Sequence, residues 1–262
     1  MKMVSRSAAV AGIFYPETFE ELRQQVDDYL GDTKSDYAHL PHALVVPHAG
    51  YKYSAAIAAS AYRIIKPLAE RIKRVVILGP AHRVALDGLA LADAECFETP
   101  LGEVRIDTEL ARRIDALPQV QYSALAHAQE HSLEVQLPFL QRLIPSFTLL
   151  PLVVGRCSAQ EVAEVLEKVW GGDDTLVVFS SDLSHYQDYN QAKHIDSLTA
   201  RQLCRLQGVL NGEQACGSYA LNGLIAFSRQ HPLHIELLDL RNSGDTAGDK
   251  HRVVGYGAFA VY

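Results

Sequence analysis

The chain has 262 residues, 48% of them apolar and 21% charged, with a formal net charge of −7 at pH 7. That length can bury a large core and suits one sizeable α/β domain, residues 1–262, and the composition excludes a disordered or low-complexity chain. The acidic balance, with no run of Lys and Arg, argues against a nucleic acid or an anionic membrane surface as the main partner.

At the N-terminus, basic residues precede the short apolar stretch Ala8 to Tyr15, which leads directly into Pro16 and an acidic segment. It reads as the first piece of the folded domain, not as a signal peptide. Next, "ETFEELRQQVDDYLG" sets Phe19, Leu22, Val26 and Leu30 at helical spacing, with Thr18 and Glu21 as a capping pair and Gly31 as a stop. The strand "HALVVPH" and the small-residue helix "YSAAIAASAYRIIKP" follow, then a second β-branched run, "RVVILGPAH". Both strands are apolar on both faces, the pattern of parallel strands covered by helices on each side.

Further on, "DGLALADAECFETPLGEVRID" predicts strand and hairpin, and a helix is expected to begin near Asp107. Another helix is expected over "EHSLEVQLPFLQRLI", followed by a third buried strand, "FTLLPLVVG". The helix "SAQEVAEVLEKVWGG" carries a capping box at Ser158 and Glu161. The fourth apolar strand is "TLVVFSSDLSHY", and helices are expected near 191–207 and 213–229 before two closing strands, "HIELLDL" and "VVGYGAFAVY". The fold class is therefore α/β: a single domain with a central mixed, largely parallel sheet flanked by helices. No segment approaches the roughly 20 apolar residues of a membrane-spanning helix, so a soluble, cytoplasmic protein is expected. Cys96, Cys157, Cys204 and Cys216 show no CxxC spacing, and disulfides are not expected.

Three of the apolar strands run out at a histidine: His48, His82 and His185. Residues just beyond the carboxyl ends of parallel strands line one crevice, so these imidazoles are expected to share a site. Any one of them alone reads more readily as a structural residue than as a ligand. Gly50 is expected to turn the backbone away and leave His48 room to face a ligand. Asp182 lies one helical turn before His185. If the segment is helical, the two share a face and could bind a metal or pass protons; otherwise Asp182 or Ser181 simply caps a helix. In "EHSLE", His131 is a candidate for proton transfer or for supporting a ligand, although the motif only superficially resembles HExxH. The loop "RNSGDTAGDKH" could wall the crevice. GxGxxG, GxxxxGK[ST] and GxSxG are all absent, which weighs against a nucleotide cofactor and a serine hydrolase.

Taken together, "AVAGIFYP", "VPHAGYKYS", "LGPAH", "EHSLEVQLPFL", "SSDLSHY", "CGSYALNGL" and "NSGDTAGDKHRVVGYGA" resemble the Memo family across nearly the whole chain. That family is similar to the LigB-type class III extradiol dioxygenases. The resemblance implies a metal held by His48, His82 and Cys216, with Asp182 and His185 lining the same pocket. It implies iron(II) as the metal, with copper or zinc as alternatives, a non-haem oxidoreductase acting on an unidentified small molecule, and a joint pathway with AMMECR-type and radical SAM proteins, the AmmeMemoRadiSam system. A thiolate in place of the carboxylate of iron(II) oxygenases is softer and itself open to oxidation. A binding module recognising a peptide or small anion and a metal-dependent hydrolase are the competing functions. By its local pattern alone Cys216 reads as an inert thiol in a buried helix.

Overall fold

A computed structural model describes residues 4–31 and 41–262. The strands are β1 (Ser5–Arg6), β2 (Ala43–Val46), β3 (Arg74–Pro80), β4 (Leu89–Leu91), β5 (Cys96–Thr99), β6 (Gly102–Arg105), β7 (Val120–Tyr122), β8 (Thr148–Val154), β9 (Thr175–Ser180), β10 (His185–Gln187), β11 (Ile235–Asn242) and β12 (Val253–Val261). The helices are α1 (Phe19–Leu30), α2 (Tyr51–Ile65), α3 (Thr108–Ile114), α4 (Ala124–Ala128), α5 (Leu137–Leu143), α6 (Ala159–Val169), α7 (Tyr189–Cys204), α8 (Ser218–Phe227) and the short α9 (Ser243–Thr246).

The main sheet runs β10-β12-β2-β9-β3-β8-β4-β7, with β11 also paired to β12. Its centre, β2-β9-β3-β8, is parallel throughout, whereas β12 joins β2, and β4 joins β8, antiparallel. The α/β class and mixed sheet read from the sequence are therefore present. Alternate side chains explain the doubly apolar strands: Leu44 and Val46 enter one core with α1, α2 and α5, while Ala43 and Val45 enter the other with α6 and α8. In the middle segment the expected hairpin is shorter than read. Only β5 and β6 form it, paired with β1 in a separate three-stranded sheet, and β4 departs into the main sheet.

Three expectations about local structure change. The segment 181–184 is not helical, because its backbone groups bond outward: Ser181 N–H to Val46 O, Leu183 N–H to Gly255 O and Ser184 N–H to Asp196 Oδ1. Asp182 and His185 therefore do not share a helix face, and neither Ser181 nor Asp182 caps a helix. Regular helix in the "EHSLE" region begins only at Leu137, after a 3-10 turn at Glu134–Gln136. The helix expected from residue 213 starts at Ser218, because the Asn211 side chain accepts from the Glu213 and Gln214 N–H groups and closes a separate turn. Among the described residues, no helix is long and apolar enough to cross a membrane.

Candidate metal centre

The parallel strands deliver their carboxyl ends to one place. His48 follows β2, His82 follows β3, and Asp182 follows β9. These three, with His131 and His185, line a crevice of about 750 Å3. The loop carrying Ser243, Ala247, Gly248 and Asp249 forms part of its wall, as the turn-rich sequence suggested. Gly50 has no special role there. Its φ of −55° is open to any residue, and an added Cβ would meet Phe14 at an ordinary 3.6 Å.

His48 is buried, and its tautomer follows from its neighbours. The Ser180 hydroxyl donates to Ser132 O at 2.6 Å and accepts from Gln136 Nε2 at 2.8 Å. The Gln136 amide is oriented in turn by donating to Pro47 O and accepting from the Tyr62 hydroxyl. With its proton committed to Ser132, Ser180 Oγ can only accept from His48 Nδ1, 3.0 Å away. His48 Nε2 therefore carries the lone pair, with Cys216 Sγ 3.3 Å away. Burial, reinforced by the nearby His82, His131 and His185, holds the His48 pKa well below the usual imidazole range, so the ring is neutral.

His82 is set by Glu130. The buried carboxylate takes the His82 backbone N–H at 2.7 Å and Nδ1 at 2.9 Å, and also the Ser132 N–H at 2.9 Å. Burial alone would raise the Glu130 pKa, but hydrogen bonds and charge from His82 outweigh it and bring the group to about 2. An ionised Glu130 fixes the proton on His82 Nδ1 and turns Nε2 outward as a donor, the arrangement that orients metal-binding histidines. Glu130→Gln is accordingly expected to weaken metal binding roughly 10–100-fold without abolishing it. Titration of the metal-free variant by iron(II) under anaerobic conditions checks this, and unchanged affinity would contradict it.

His131 arrives on the 130–136 segment. Its Nδ1 is buried, lies 3.5 Å from Glu130 Oε1 and has no hydrogen-bond partner. Its ring packs at 4.8 Å from Phe14, 4.7 Å from His82 and 5.5 Å from His48 between centroids. The segment can approach because Gly79 has no side chain: a Cβ there would sit 2.6 Å from Ser132 Oγ. Burial lowers the His131 pKa to about 4, with His82 and Arg83 reinforcing and the Glu130 charge opposing. NMR of the metal-free protein should therefore show the His131 ring titrating near pH 4, so that protons do not compete for it at neutral pH. A midpoint between 6 and 7 would contradict this.

One ring nitrogen from each of His48, His82 and His131 lies within 4.8 Å of the other two. Among the described residues, these three form the group of His, Cys, Asp and Glu donors that could hold a metal ion. The donors fit the task, because two carry lone pairs already aimed by their partners and the third belongs to a ring whose Nδ1 is buried without a hydrogen-bond partner.

Cys216 touches this set through His48, its Sγ 3.3 Å from His48 Nε2. It lies on the turn before α8, not within the helix, and lines a neighbouring cavity of about 400 Å3. Gly217 makes the approach feasible, since a Cβ there would stand 2.7 Å from Ser181 Cβ. The Asp182 N–H donates to Cys216 Sγ at 3.3 Å. Burial, reinforced by the Asp182 charge, pushes the thiol up to about 12, so without a metal it is protonated and available to donate toward His48 Nε2. Asp182 is buried and accepts the His48 N–H at 2.7 Å. Burial raises its pKa to about 7, against hydrogen bonds from the His48 and Ala49 N–H groups and the charge of His82. His185 stands on the crevice wall in β10, half-buried, and is not one of the three close donors.

Sequence reading missed Glu130 and Ser180 as the groups that orient His82 and His48. It also missed the part played by Glu134. Fully buried, Glu134 accepts from Arg6, the Ala9 and Val10 N–H groups and the Tyr15 hydroxyl, and so ties the N-terminal segment to the one bearing His131. An acid set between Leu133 and Val135 in an apolar run, with no adjacent base, was the available signal.

A family model described as Memo-like protein matches residues 6–260. A "MEMO1 family protein" from Aquifex aeolicus is 36% identical, over 96% of this chain and 97% of its own. The "MEMO1 family protein MK0963" from Methanopyrus kandleri is 34% identical, over 97% of this chain and 98% of its own. Among solved structures, an uncharacterized protein, JW3007, from Escherichia coli K12 has the same fold, with a TM-score of 0.50 at 12% identity, over 84% of this chain and 99% of its own.

Proposed function

Since the chain belongs to the Memo-like protein family, we propose that it is a metal-dependent oxidoreductase that holds a divalent ion at His48, His82 and His131 and acts on a small molecule in the adjoining crevice. The observation that carries this reading is the preset pair of lone pairs, His48 Nε2 fixed through Ser180 and His82 Nε2 fixed through Glu130. Neutral imidazoles suit iron(II), copper and zinc. The resemblance to class III extradiol dioxygenases favours iron(II) and a ring-cleaving reaction. Such an ion supplies electrons to dioxygen and polarises substrate oxygen atoms.

The chain's own groups divide the remaining work. Ser180 and Glu130 hold the two imidazoles in register. Asp182, with a pKa of about 7, can take or give a proton at neutral pH beside His48, and His185 faces the same space. Cys216 is placed to add a thiolate next to His48 once its proton is lost, which metal coordination favours. Anaerobic purification followed by metal analysis tests the reading. About one ion per chain is expected, and no stoichiometric iron, copper or zinc would overturn it.

A hydrolase is the second reading. Three imidazole nitrogens with no carboxylate are a donor set used by zinc to activate water. Ester or phosphoester cleavage that survives strict anaerobiosis would favour it over the oxygenase.

A further inference from the structure

A second cavity, of about 320 Å3, shares no lining residue with the crevice. Six alanines line it, Ala9, Ala92 and Ala94 among them, together with Val4 and His127. Such walls suit a small apolar body. The charged groups in the lining favour a neutral one. Arg6 is buried, and each nitrogen of its guanidinium already donates, to His127 O, Glu130 O and Glu134. An anion therefore finds no free cation in the wall, and it would face the exposed Asp93 carboxylate. A cation would have to shed water beside the Arg6 guanidinium.

One polar atom beside these walls is left over. His127 is 2% exposed, and Phe97 meets its ring edge-on at 5.8 Å between centroids. Its Nε2 lies 2.9 Å from Ala90 O. A carbonyl only accepts, so the ring proton sits on Nε2 and Nδ1 carries the lone pair. That Nδ1 is buried and has no hydrogen-bond partner among the described residues. Burial brings the His127 pKa to about 4, against the hydrogen bond to Ala90 O, so no proton occupies the lone pair at neutral pH. A buried acceptor left unmatched is costly, and a ligand that brings a single donor removes that cost.

We propose that this cavity is a second binding site, for a small uncharged molecule that presents one hydroxyl or amide N–H to His127 Nδ1 from an apolar body. The site needs no metal, so it stands or falls apart from the oxidoreductase reading. Phenol and fluorobenzene test it, because they have nearly the same shape and only phenol carries a donor. Each is titrated into the metal-free protein at neutral pH and followed by 15N NMR. Phenol is expected to shift the His127 Nδ1 signal, and fluorobenzene, benzoate and benzylammonium are expected to leave it in place. Affinities are read from the amide signals of Ala92 and Ala94 in the cavity wall. The ratio of phenol to fluorobenzene affinity should fall at least about fivefold in His127→Phe, which keeps a ring and removes the acceptor. Ala94→Leu, which narrows the cavity and leaves His127 in place, should abolish the phenol-induced shift. A wild-type Nδ1 signal unmoved by phenol would overturn the proposal whether or not His127→Phe folds. So would an unchanged affinity ratio in a folded His127→Phe, a shift retained in Ala94→Leu, or benzoate or benzylammonium moving the signal as far as phenol.

Discussion

His82→Ala is expected to abolish stoichiometric metal uptake, with an affinity loss exceeding the roughly 10–100-fold typical of residues that only orient a ligand. The expectation rests on how His82 is built. Its Nδ1 is committed to an ionised Glu130, and among the described residues Nε2 has no hydrogen-bond partner. The side chain is 27% exposed, facing the crevice, and its removal leaves the β3 backbone and both apolar cores intact. A thermal melt lowered by a few degrees, because the buried Glu130 keeps two backbone N–H donors but loses its side-chain partner, together with metal at background level is therefore the expected pair of results. Full metal occupancy in the variant would assign the ion to other donors, whereas loss of both metal and folded protein would show that the imidazole is structural. His48→Ala is a less clean test, because the ring is 2% exposed and sits against the Ser180 and Gln136 network.

Arg6→Ala should cost about 3–5 kcal/mol of stability, the range for breaking a buried ion pair by removing one partner. Arg6 and Glu134 are both buried, and the guanidinium also donates to His127 O at 3.0 Å and Glu130 O at 2.6 Å. Without it the Glu134 carboxylate keeps three donors but loses its counter-charge in a site closed to water. At about 2–4 °C per kcal/mol for a chain near this size, the melting temperature should fall by roughly 10 °C. Because Glu134 anchors the segment carrying Glu130 and His131, metal affinity should fall as well. An Arg6→Met/Glu134→Met variant, which removes both charges, should cost less than the sum of the single changes. A change of under 1 kcal/mol in Arg6→Ala would refute the clamp.

The sequence determined those features whose cause lies within a few residues. The doubly apolar runs of β2, β3, β8 and β9 identify strands covered on both faces, because alternation of side chains along a strand is local. The capping groups of α1 and α6 mark where those helices start, because Thr18 and Ser158 bond to amides three residues on. Placement of His48, His82 and His185 around one crevice also follows from strand direction, since carboxyl ends of parallel strands converge.

Only the tertiary structure decided which donors meet. His131 joins His48 and His82 because Gly79 lets the 130–133 segment press against β3, and Cys216 reaches His48 because Gly217 packs on Ser181. The groups that set tautomers and charge lie far away in the chain: Ser180 is 132 residues from His48, and Glu134 is 128 from Arg6. Local periodicity carries no information about such pairs, because their geometry is fixed by how loops pack across the ends of the sheet. The chemistry of the histidines is therefore written in residues that, read in order, look like ordinary loop and helix-start positions.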